Sequence, residues 1–238
     1  MEQTPHTTTN LWSSVSAVLF DLDGVITPTA EIHQRAWLEA LSTFDATADD
    51  YHNFIDGRPR IDGVRGFLHG RNIELPDGSS NDQPSVASIH AIAARKNHLF
   101  LHILENETLA AFPGSLNALD FLEAQGTPFA LVTSSKNADA VLKASGLTGR
   151  FQHVVDGNRA QQEGLLGKPS ADTYLRAASL LGFAPSVCAV VEDAVSGVSA
   201  GRNGGFGVVL GVDRGAGVEA LINAGADLVV RDLQETLP

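Results

Sequence analysis

A short apolar run that ends in two aspartates constrains the fold of this chain more than any other feature. The run covers residues 17–20, and Asp21, Leu22, Asp23 and Gly24 follow it directly. An uninterrupted apolar run of this length predicts a strand buried on both faces, as in a parallel sheet. Ligands bind outside the carboxyl ends of the strands in such sheets. The two aspartates therefore predict a ligand site, although Asp-Gly is also a common dipeptide of solvated turns.

The spacing of Asp21 and Asp23 has a consequence for metal binding. Carboxylates two residues apart lie on the same side of the backbone as long as the strand conformation continues. Such a pair does not readily keep both negative charges unless a cation or a shared proton compensates them. Because Mg²⁺ takes oxygen ligands, the pair predicts a Mg²⁺ site.

After residue 112 the sequence predicts strands that alternate with helices. The predicted strands are residues 129–132, 151–155, 187–191, 207–210 and 227–230, and the predicted helices include residues 116–122, 138–144, 171–181, 194–203 and 218–224. This alternation indicates an α/β fold, a Rossmann-like parallel sheet flanked by helices.

Residues 30–112 interrupt that alternation. Apolar residues recur there at helical spacing, which predicts helices over residues 29–44, 61–70 and 85–104, with a turn-rich stretch at 74–84. The sequence therefore predicts two domains. One is an α/β core made of residues 1–29 and 113–238, and the other is an inserted all-helical cap made of residues 30–112.

The composition of the 238 residues narrows the class of protein. The apolar share of 43% is enough for a sizeable core, and the formal net charge of −12 argues against nucleic acid or an anionic membrane as the main partner. No apolar stretch reaches the ~20 residues of a membrane span. Residues 1–14 predict a frayed polar tail without signal-peptide features, and the lone cysteine, Cys188, cannot form a disulfide within the chain. We expect a cytoplasmic monomer.

Three further polar features lie near predicted strand ends. Residues 133–137 are Thr-Ser-Ser-Lys-Asn, Lys168 precedes a predicted helix, and Glu192 and Asp193 follow the strand 187–191. Hydroxyls near a helix start suit a phosphate, a lysine suits an anion, and adjacent acids suit a cation. Taken singly, each has a simpler interpretation as a helix cap or a solvated surface residue.

The order of these motifs resembles that of the haloacid dehalogenase (HAD) superfamily of phosphotransferases. The resemblance covers nearly the whole chain, and a helical insert directly after the first motif looks like the cap of subfamily I. Residues 20–27 are more specifically similar to the opening of the β-phosphoglucomutase family, as are the motifs at 135–137, 168–169 and 192–193 and, in the cap, Arg60 and residues 95–97.

The resemblance implies catalytic roles for four residues. Asp21 would be the nucleophile that forms an aspartyl phosphate, and Asp23 would be the general acid and base for the sugar oxygen. Thr133 and Lys168 would hold the transferring phosphoryl group. Mg²⁺ would be bound by the carboxylates of Asp21 and Asp193 and the main-chain carbonyl of Asp23, with Glu192 contributing to the ligand shell.

The resemblance also implies a set of substrate-binding residues. Arg60 would grip the second, non-reacting phosphate together with residues of the loop after the second strand, and His33 and Lys96 would couple substrate binding in the cap to Asp23. The full substrate-binding set is His33, Trp37, Arg60, Lys96, Ser134, Ser135, Lys136 and Asn137.

Two functions are compatible with these residues. The leading hypothesis is a phosphoglucomutase that interconverts β-glucose 1-phosphate and glucose 6-phosphate through a bisphosphate. The alternative is a phosphatase that hydrolyses a sugar phosphate or a similar small ester, with water as the acceptor. The second-phosphate residues favour the mutase. Pro28 at the predicted cap hinge and the long stretch 74–84 depart from the family pattern and bear on cap closure and on the choice of sugar.

Overall fold

The computed structural model describes residues 11–83 and 85–238. Within these ranges six parallel strands form one sheet in the order β3-β2-β1-β4-β5-β6, which confirms the predicted α/β fold. The strands are β1 (Ala17–Phe20), β2 (Phe129–Val132), β3 (Val154–Val155), β4 (Cys188–Glu192), β5 (Val208–Val212) and β6 (Leu228–Val230). β1 and β2 match their predicted bounds, whereas β3 is shorter than predicted.

β1 lies in the middle of this sheet, where the strand order changes direction. Phe20 pairs with Leu131 of β2 on one side and with Val191 of β4 on the other. β2 and β3 follow β1 in the chain and lie on one side of it in the sheet. The chain then crosses to the other side of β1, where β4, β5 and β6 lie. Ligands bind at the carboxyl ends of the strands beside such a switch point. The residues after β1, β2 and β4 meet there.

Both faces of the sheet are buried. Leu19 packs with Val190 and Tyr174 in one apolar layer, whereas Phe20 packs with Leu131 in the other. Successive strand residues point to opposite faces, so a strand covered on both faces needs apolar residues at every position. This requirement explains the uninterrupted apolar run in the sequence.

Between β1 and residue 112 the chain forms helices. They are α1 (Thr29–Ala40), α2 (Ala48–Asp50), α3 (Arg60–Gly70) and α4 (Ile89–Asn106), with a π-helical turn at Tyr51–Ile55. They share an apolar cluster of their own that includes Trp37, Phe67 and Ile92. We refer to residues 30–112 as the helical segment.

The predicted bounds of two of these helices are wrong. α1 ends at Ala40, and a separate 3-10 turn covers Ser42–Phe44. α4 begins at Ile89 because the hydroxyl of Ser88 accepts a hydrogen bond from the backbone N–H of Ala91 at 3.1 Å, which caps the helix. Pro84, in the turn-rich stretch before it, lies outside the described residues.

Helices α5 to α10 belong to the rest of the chain. They are α5 (Pro113–Gln125), α6 (Ala138–Ala144), α7 (Gly157–Glu163), α8 (Asp172–Leu181), α9 (Val195–Asn203) and α10 (Val218–Ala224). α7 was not predicted from the sequence, because none of its residues is buried and apolar periodicity is absent from it. Asp156 caps it by accepting a hydrogen bond from the backbone N–H of Arg159 at 2.8 Å.

The prediction of a frayed tail is wrong for residues 11–14, and residues 1–10 of that tail lie outside the described residues. Trp12 is buried in the core, and its indole N–H donates a hydrogen bond to the hydroxyl of Thr236 at 3.0 Å. Among the described residues, no helix combines the length and apolar character needed to cross a membrane.

Candidate active site

Asp21 lies at the centre of the site. It follows β1 directly, its backbone N–H donates to the carbonyl of Val191 at 3.0 Å, and its side chain is 5% exposed. Its carboxylate accepts a short hydrogen bond from the ammonium group of Lys168. Burial raises the pKa of Asp21 well above its ordinary value, and the charge of Lys168 opposes that shift. A compensating positive charge is therefore required for Asp21 to act as a carboxylate.

Glu192 holds Lys168 in place. Its Oε1 accepts hydrogen bonds from Lys168 and, at 2.8 Å, from the hydroxyl of Tyr174. Its Oε2 accepts from the backbone N–H groups of Asp193 and Ala194, both at 3.1 Å. Four donors thus fix this fully buried carboxylate. Burial by itself would lower the pKa of Lys168, but the carboxylates of Asp21 and Glu192 outweigh it and raise that pKa, so the lysine stays charged.

Three carboxylates form a possible metal site at the end of the sheet. One oxygen each from Asp21, Glu192 and Asp193 lies within 4.8 Å of the others. Burial and the nearby carboxylate of Asp56 raise the pKa of Asp193 well above its ordinary value, which is the sign of uncompensated negative charge. Oxygen donors of this kind fit Mg²⁺. Because four donors already engage Glu192, Asp21 and Asp193 are the freer of the three ligands.

Gly24 is required next to this carboxylate cluster. Its φ is +92°, a conformation that favours glycine, and a Cβ at this position would lie 1.8 Å from Oδ2 of Asp193. The turn residue in the Asp-x-Asp-Gly motif is therefore explained by the close approach of the chain to Asp193.

Asp23 faces the helical segment. Its carboxylate accepts hydrogen bonds from the hydroxyls of Thr29 at 2.6 Å and Thr133 at 3.1 Å, and its Oδ1 lies 3.3 Å from Nε2 of His33. Burial would raise the pKa of Asp23, but His33, Thr29 and the charge of Lys96 outweigh it and hold that pKa below its ordinary value. Asp23 is therefore ionised in this arrangement.

Lys96 and His33 connect α4 to α1 and, through Asp23, to the sheet. The ammonium group of Lys96 makes a short contact with Nδ1 of His33 and lies 4.7 Å from the ring centroid of Phe100 and 5.4 Å from that of Trp37. Burial and the charge of Arg60 lower the pKa of Lys96 well below its ordinary value. Burial also lowers the pKa of His33.

A cavity of about 810 Å³ opens above these groups, between the helical segment and the sheet. Eleven of the predicted site residues line it: Asp21, Asp23, His33, Trp37, Arg60, Lys96, Thr133, Ser134, Ser135, Lys136 and Asp193. Lys168 and Glu192 lie behind Asp21. Asn137 is absent from the lining, and its amide donates to the side chain of Asn97 on α4, which does line the cavity, at 2.9 Å.

The loop after β2 is held by internal contacts. The hydroxyl of Thr133 accepts from the backbone N–H of Ser135 at 3.0 Å, and that of Ser135 accepts from the N–H of Asn137 at 3.1 Å. Lys136 makes a short hydrogen bond to the side chain of Gln161. The hydroxyl of Ser134 donates to the carbonyl of Gly57 in the helical segment at 2.8 Å. Its predicted role as a substrate ligand stays a prediction.

Sequence reasoning missed several residues of the site. Tyr51, Asp56 and Arg58 line the cavity, and Tyr174 supports Glu192 from α8. An isolated tyrosine or a Gly-Arg-Pro turn carries little signal, because its partners lie far away in the sequence. Tyr174 is fully buried, and the only feature of the sequence that could have indicated its role is its position six residues after Lys168.

A family model for haloacid dehalogenase-like hydrolases matches residues 15–205. The chain belongs to this family. A β-phosphoglucomutase from Mycobacterium bovis is 43% identical to it over 94% of this chain and 92% of that protein. Hexitol phosphatase A from Escherichia coli is 34% identical over 80% of each chain. The crystal structure of β-phosphoglucomutase from Clostridium difficile has a TM-score of 0.76 and 25% identity, and the match covers 93% of this chain and 92% of that one.

The family model and these relatives show that this protein is an enzyme. It is a phosphotransferase or a phosphatase of this family. The carboxylate cluster, the buried lysine and the cavity above them are the parts of the molecule that such a reaction requires.

Proposed function

We propose that this protein is a Mg²⁺-dependent mutase of phosphorylated sugars, with β-glucose 1-phosphate and glucose 6-phosphate as its substrate pair. The side chain of Arg60 carries the proposal. It lines the cavity that also contains Asp21, and it makes no hydrogen bond or ion pair with any residue in the described ranges. Burial lowers its pKa to about 10, so it remains charged at neutral pH. Arg60 is half-buried, and a partly desolvated guanidinium without a partner is unfavourable, whereas phosphate oxygens match its donors.

A second phosphate site distinguishes a mutase from a phosphatase. A sugar bisphosphate intermediate has one phosphate to place at Asp21 and Lys168 and another to place elsewhere. Arg60 supplies a cation for the second phosphate in the same cavity. The name of the Mycobacterium bovis relative, β-phosphoglucomutase, supports the same substrate class for this chain.

Asp21 and Lys168 would act on the transferring phosphoryl group. A carboxylate oxygen of Asp21 attacks phosphorus, the bond between phosphorus and the sugar oxygen breaks, and an aspartyl phosphate forms. Lys168 offsets the negative charge that otherwise opposes this attack. Asp21, Asp193 and the main-chain carbonyl of Asp23 would hold Mg²⁺, which supplies further positive charge when bound. Glu192 acts by fixing Lys168.

Asp23 would move the proton at the sugar oxygen. In its ionised form it takes the proton from a sugar hydroxyl as that hydroxyl attacks the aspartyl phosphate, and Asp21 is released. In the opposite direction the protonated form gives the proton to the departing sugar oxygen. Proton transfer of this kind contributes roughly 10²–10⁴ in rate. The depressed pKa of Asp23 means that the basic form predominates in this arrangement.

The helical segment would act as a cap domain with the boundaries predicted from the sequence. It contributes Arg60, Lys96 and His33 to the cavity, and the cluster around Phe67 is separate from the two layers on the sheet. Residues of α1 and α4, among them Ile32 and Phe100, pack into one of those layers. A lid that closes over the reacting groups excludes water, which a mutase needs in order to protect the aspartyl phosphate from hydrolysis.

A phosphatase is the second candidate function. The relation to hexitol phosphatase A, at 34% identity, favours it. The same Asp21, Asp23 and Lys168 serve hydrolysis when water replaces the sugar hydroxyl as the acceptor.

The replacement Arg60→Ala tests the mutase proposal. We expect the kcat/KM for β-glucose 1-phosphate to fall about 10- to 100-fold, the range for a lost charge-assisted hydrogen bond of about 1.5–3 kcal/mol, whereas hydrolysis of a small aryl phosphate changes far less. The matched control is Arg65→Ala on the same helix, where an exposed guanidinium pairs with Asp77 at 3.1 Å. Equal losses on both substrates in Arg60→Ala would contradict a second-phosphate site.

A further inference from the structure

Two serine hydroxyls outside the helical segment hold one short loop within it. The loop consists of residues 56–60, and we call it the docking loop. Ser196, on α9, donates a hydrogen bond to the carbonyl of Asp56 at 2.8 Å. Ser134, after β2, donates to the carbonyl of Gly57 at 2.8 Å. Neighbouring carbonyls are thus bound from two different strand ends of the sheet.

The docking loop approaches these partners so closely that a glycine is needed. Gly57 has a φ of +69°, and a Cβ there would lie 2.4 Å from the hydroxyl oxygen of Ser196 and 2.9 Å from the Cβ of Ala194. A third contact lies further along the loop. Pro59 packs against Gly167, where an added Cβ would be 2.1 Å from the Cγ of Pro59. Three separate parts of the core therefore fit against one loop of five residues.

Arg60 begins α3 at the end of the docking loop. Its guanidinium has to keep its position in the cavity without a partner in the described residues, so the backbone before it sets where it lies. The hydrogen bonds from Ser134 and Ser196 fix that backbone within four residues of Arg60. The packing of Pro59 against Gly167 brings the docking loop next to Lys168, since Gly167 precedes that lysine.

We propose that Ser196 and Ser134 are positioning residues that clamp the docking loop and thereby set Arg60 for the non-reacting phosphate of the bound sugar. The inference rests on the proposed function, because it concerns the site that would bind that phosphate. Neither serine needs to touch the substrate for this role.

The test replaces Ser196 by alanine and measures two substrates. Loss of one hydrogen bond of this kind predicts a rise of about three- to tenfold in the KM for β-glucose 1-phosphate. The kcat/KM for a small aryl phosphate, which does not need Arg60, is expected to change by less than about twofold. The matched control is Ser145→Ala, which also removes a hydroxyl that donates to a backbone carbonyl, at 2.8 Å to Val141.

A double-mutant cycle separates positioning from a general structural effect. If Ser196 acts through Arg60, the change Ser196→Ala has little further effect on KM in a protein that already carries Arg60→Ala. Amide hydrogen exchange gives a readout that does not depend on activity. The backbone amides of Asp56, Gly57, Arg58 and Arg60 are expected to exchange faster in Ser196→Ala and faster still when Ser134→Ala is added, with β1 unaffected.

Two results would overturn the inference. One is an unchanged KM for the phosphosugar in Ser196→Ala. The other is an equal loss on both substrates that adds independently to the loss from Arg60→Ala. A wild-type protein inactive on the phosphosugar would count against the proposed function instead, and the exchange rates of residues 56–60 would still decide whether the hydroxyls hold the loop.

Discussion

The two halves of the site differ in charge and in how completely their polar groups are paired. On the sheet side, Lys168 donates to both Asp21 and Glu192, and further donors engage Glu192. On the side of the helical segment, Arg60 is a half-buried cation with no partner among the described residues, and Lys96 is buried with its pKa lowered well below its ordinary value. The paired Asp21, Glu192 and Lys168 keep their geometry without substrate, whereas the unpaired guanidinium of Arg60 needs an anion from outside. The carboxylate of Asp193, on the sheet side, needs a cation.

Under the proposed function, the chemical step would take place at the sheet and the sugar phosphate would be recognised by the helical segment. Replacing a sheet-side residue should therefore affect every substrate. Replacing a residue of the helical segment should affect the phosphosugar far more than a small aryl phosphate. Changes that destabilise the whole segment should leave the sheet folded.

The largest expected effect is that of Asp21→Asn. The amide has nearly the same shape but cannot attack phosphorus, so the kcat for β-glucose 1-phosphate and for an aryl phosphate should both fall by at least about 10⁴-fold. Steady-state rates on the two substrates measure this. Asp120→Asn, at an exposed position on α5, serves as the control. A rate near that of the wild type in Asp21→Asn would remove this residue as the nucleophile.

Phe67→Ala tests whether the helical segment has a core of its own. Phe67 is fully buried and packs against Phe44, with ring centroids 6.3 Å apart. Its truncation should lower the free energy of unfolding by about 3–5 kcal/mol. Denaturant unfolding measures that loss. Hydrogen exchange should locate it in α1, α3 and α4, and faster exchange in β1 and β4 instead would show that the segment and the sheet form one cooperative unit.

The replacement His33→Ala is expected to have a smaller effect, which should be visible in the pH dependence of kcat. Burial raises the pKa of Asp23, but His33 is the main group that outweighs burial and depresses it. Without His33 that pKa rises, so Asp23 takes up its proton at a higher pH as the solution is acidified. The acid limb of kcat for the phosphosugar should therefore move to higher pH, with His69→Ala as the exposed control. An unmoved limb would mean that Asp23 does not act as the base.

The sequence was sufficient to predict the sheet and its carboxylate edge. Strands buried on both faces require unbroken apolar runs, and for that reason β1 and β2 were placed without error. The polar helix α7 lacks such a requirement, since its residues face solvent and its cap is an ordinary aspartate. Trp12 was assigned to a tail because its partner, Thr236, lies at the other end of the chain.

Which residues form the site was easier to predict from the sequence than which hydrogen bonds they make. Motif order brought Glu192 into the site, but its support of Lys168 depends on the hydroxyl of Tyr174 and on two backbone donors. Ser134 was expected to face the substrate, and the structure directs its hydroxyl to Gly57. Contacts of this kind join residues far apart in the sequence, and residue type alone does not select the partner.

A product balance tests the central claim most directly. The purified protein is given β-glucose 1-phosphate, Mg²⁺ and a trace of glucose 1,6-bisphosphate, and glucose 6-phosphate and free phosphate are quantified together. Our account predicts that glucose 6-phosphate accumulates with little free phosphate, because the acceptor is a sugar held by the helical segment. Free phosphate released in step with substrate loss would contradict it and identify the protein as a phosphatase.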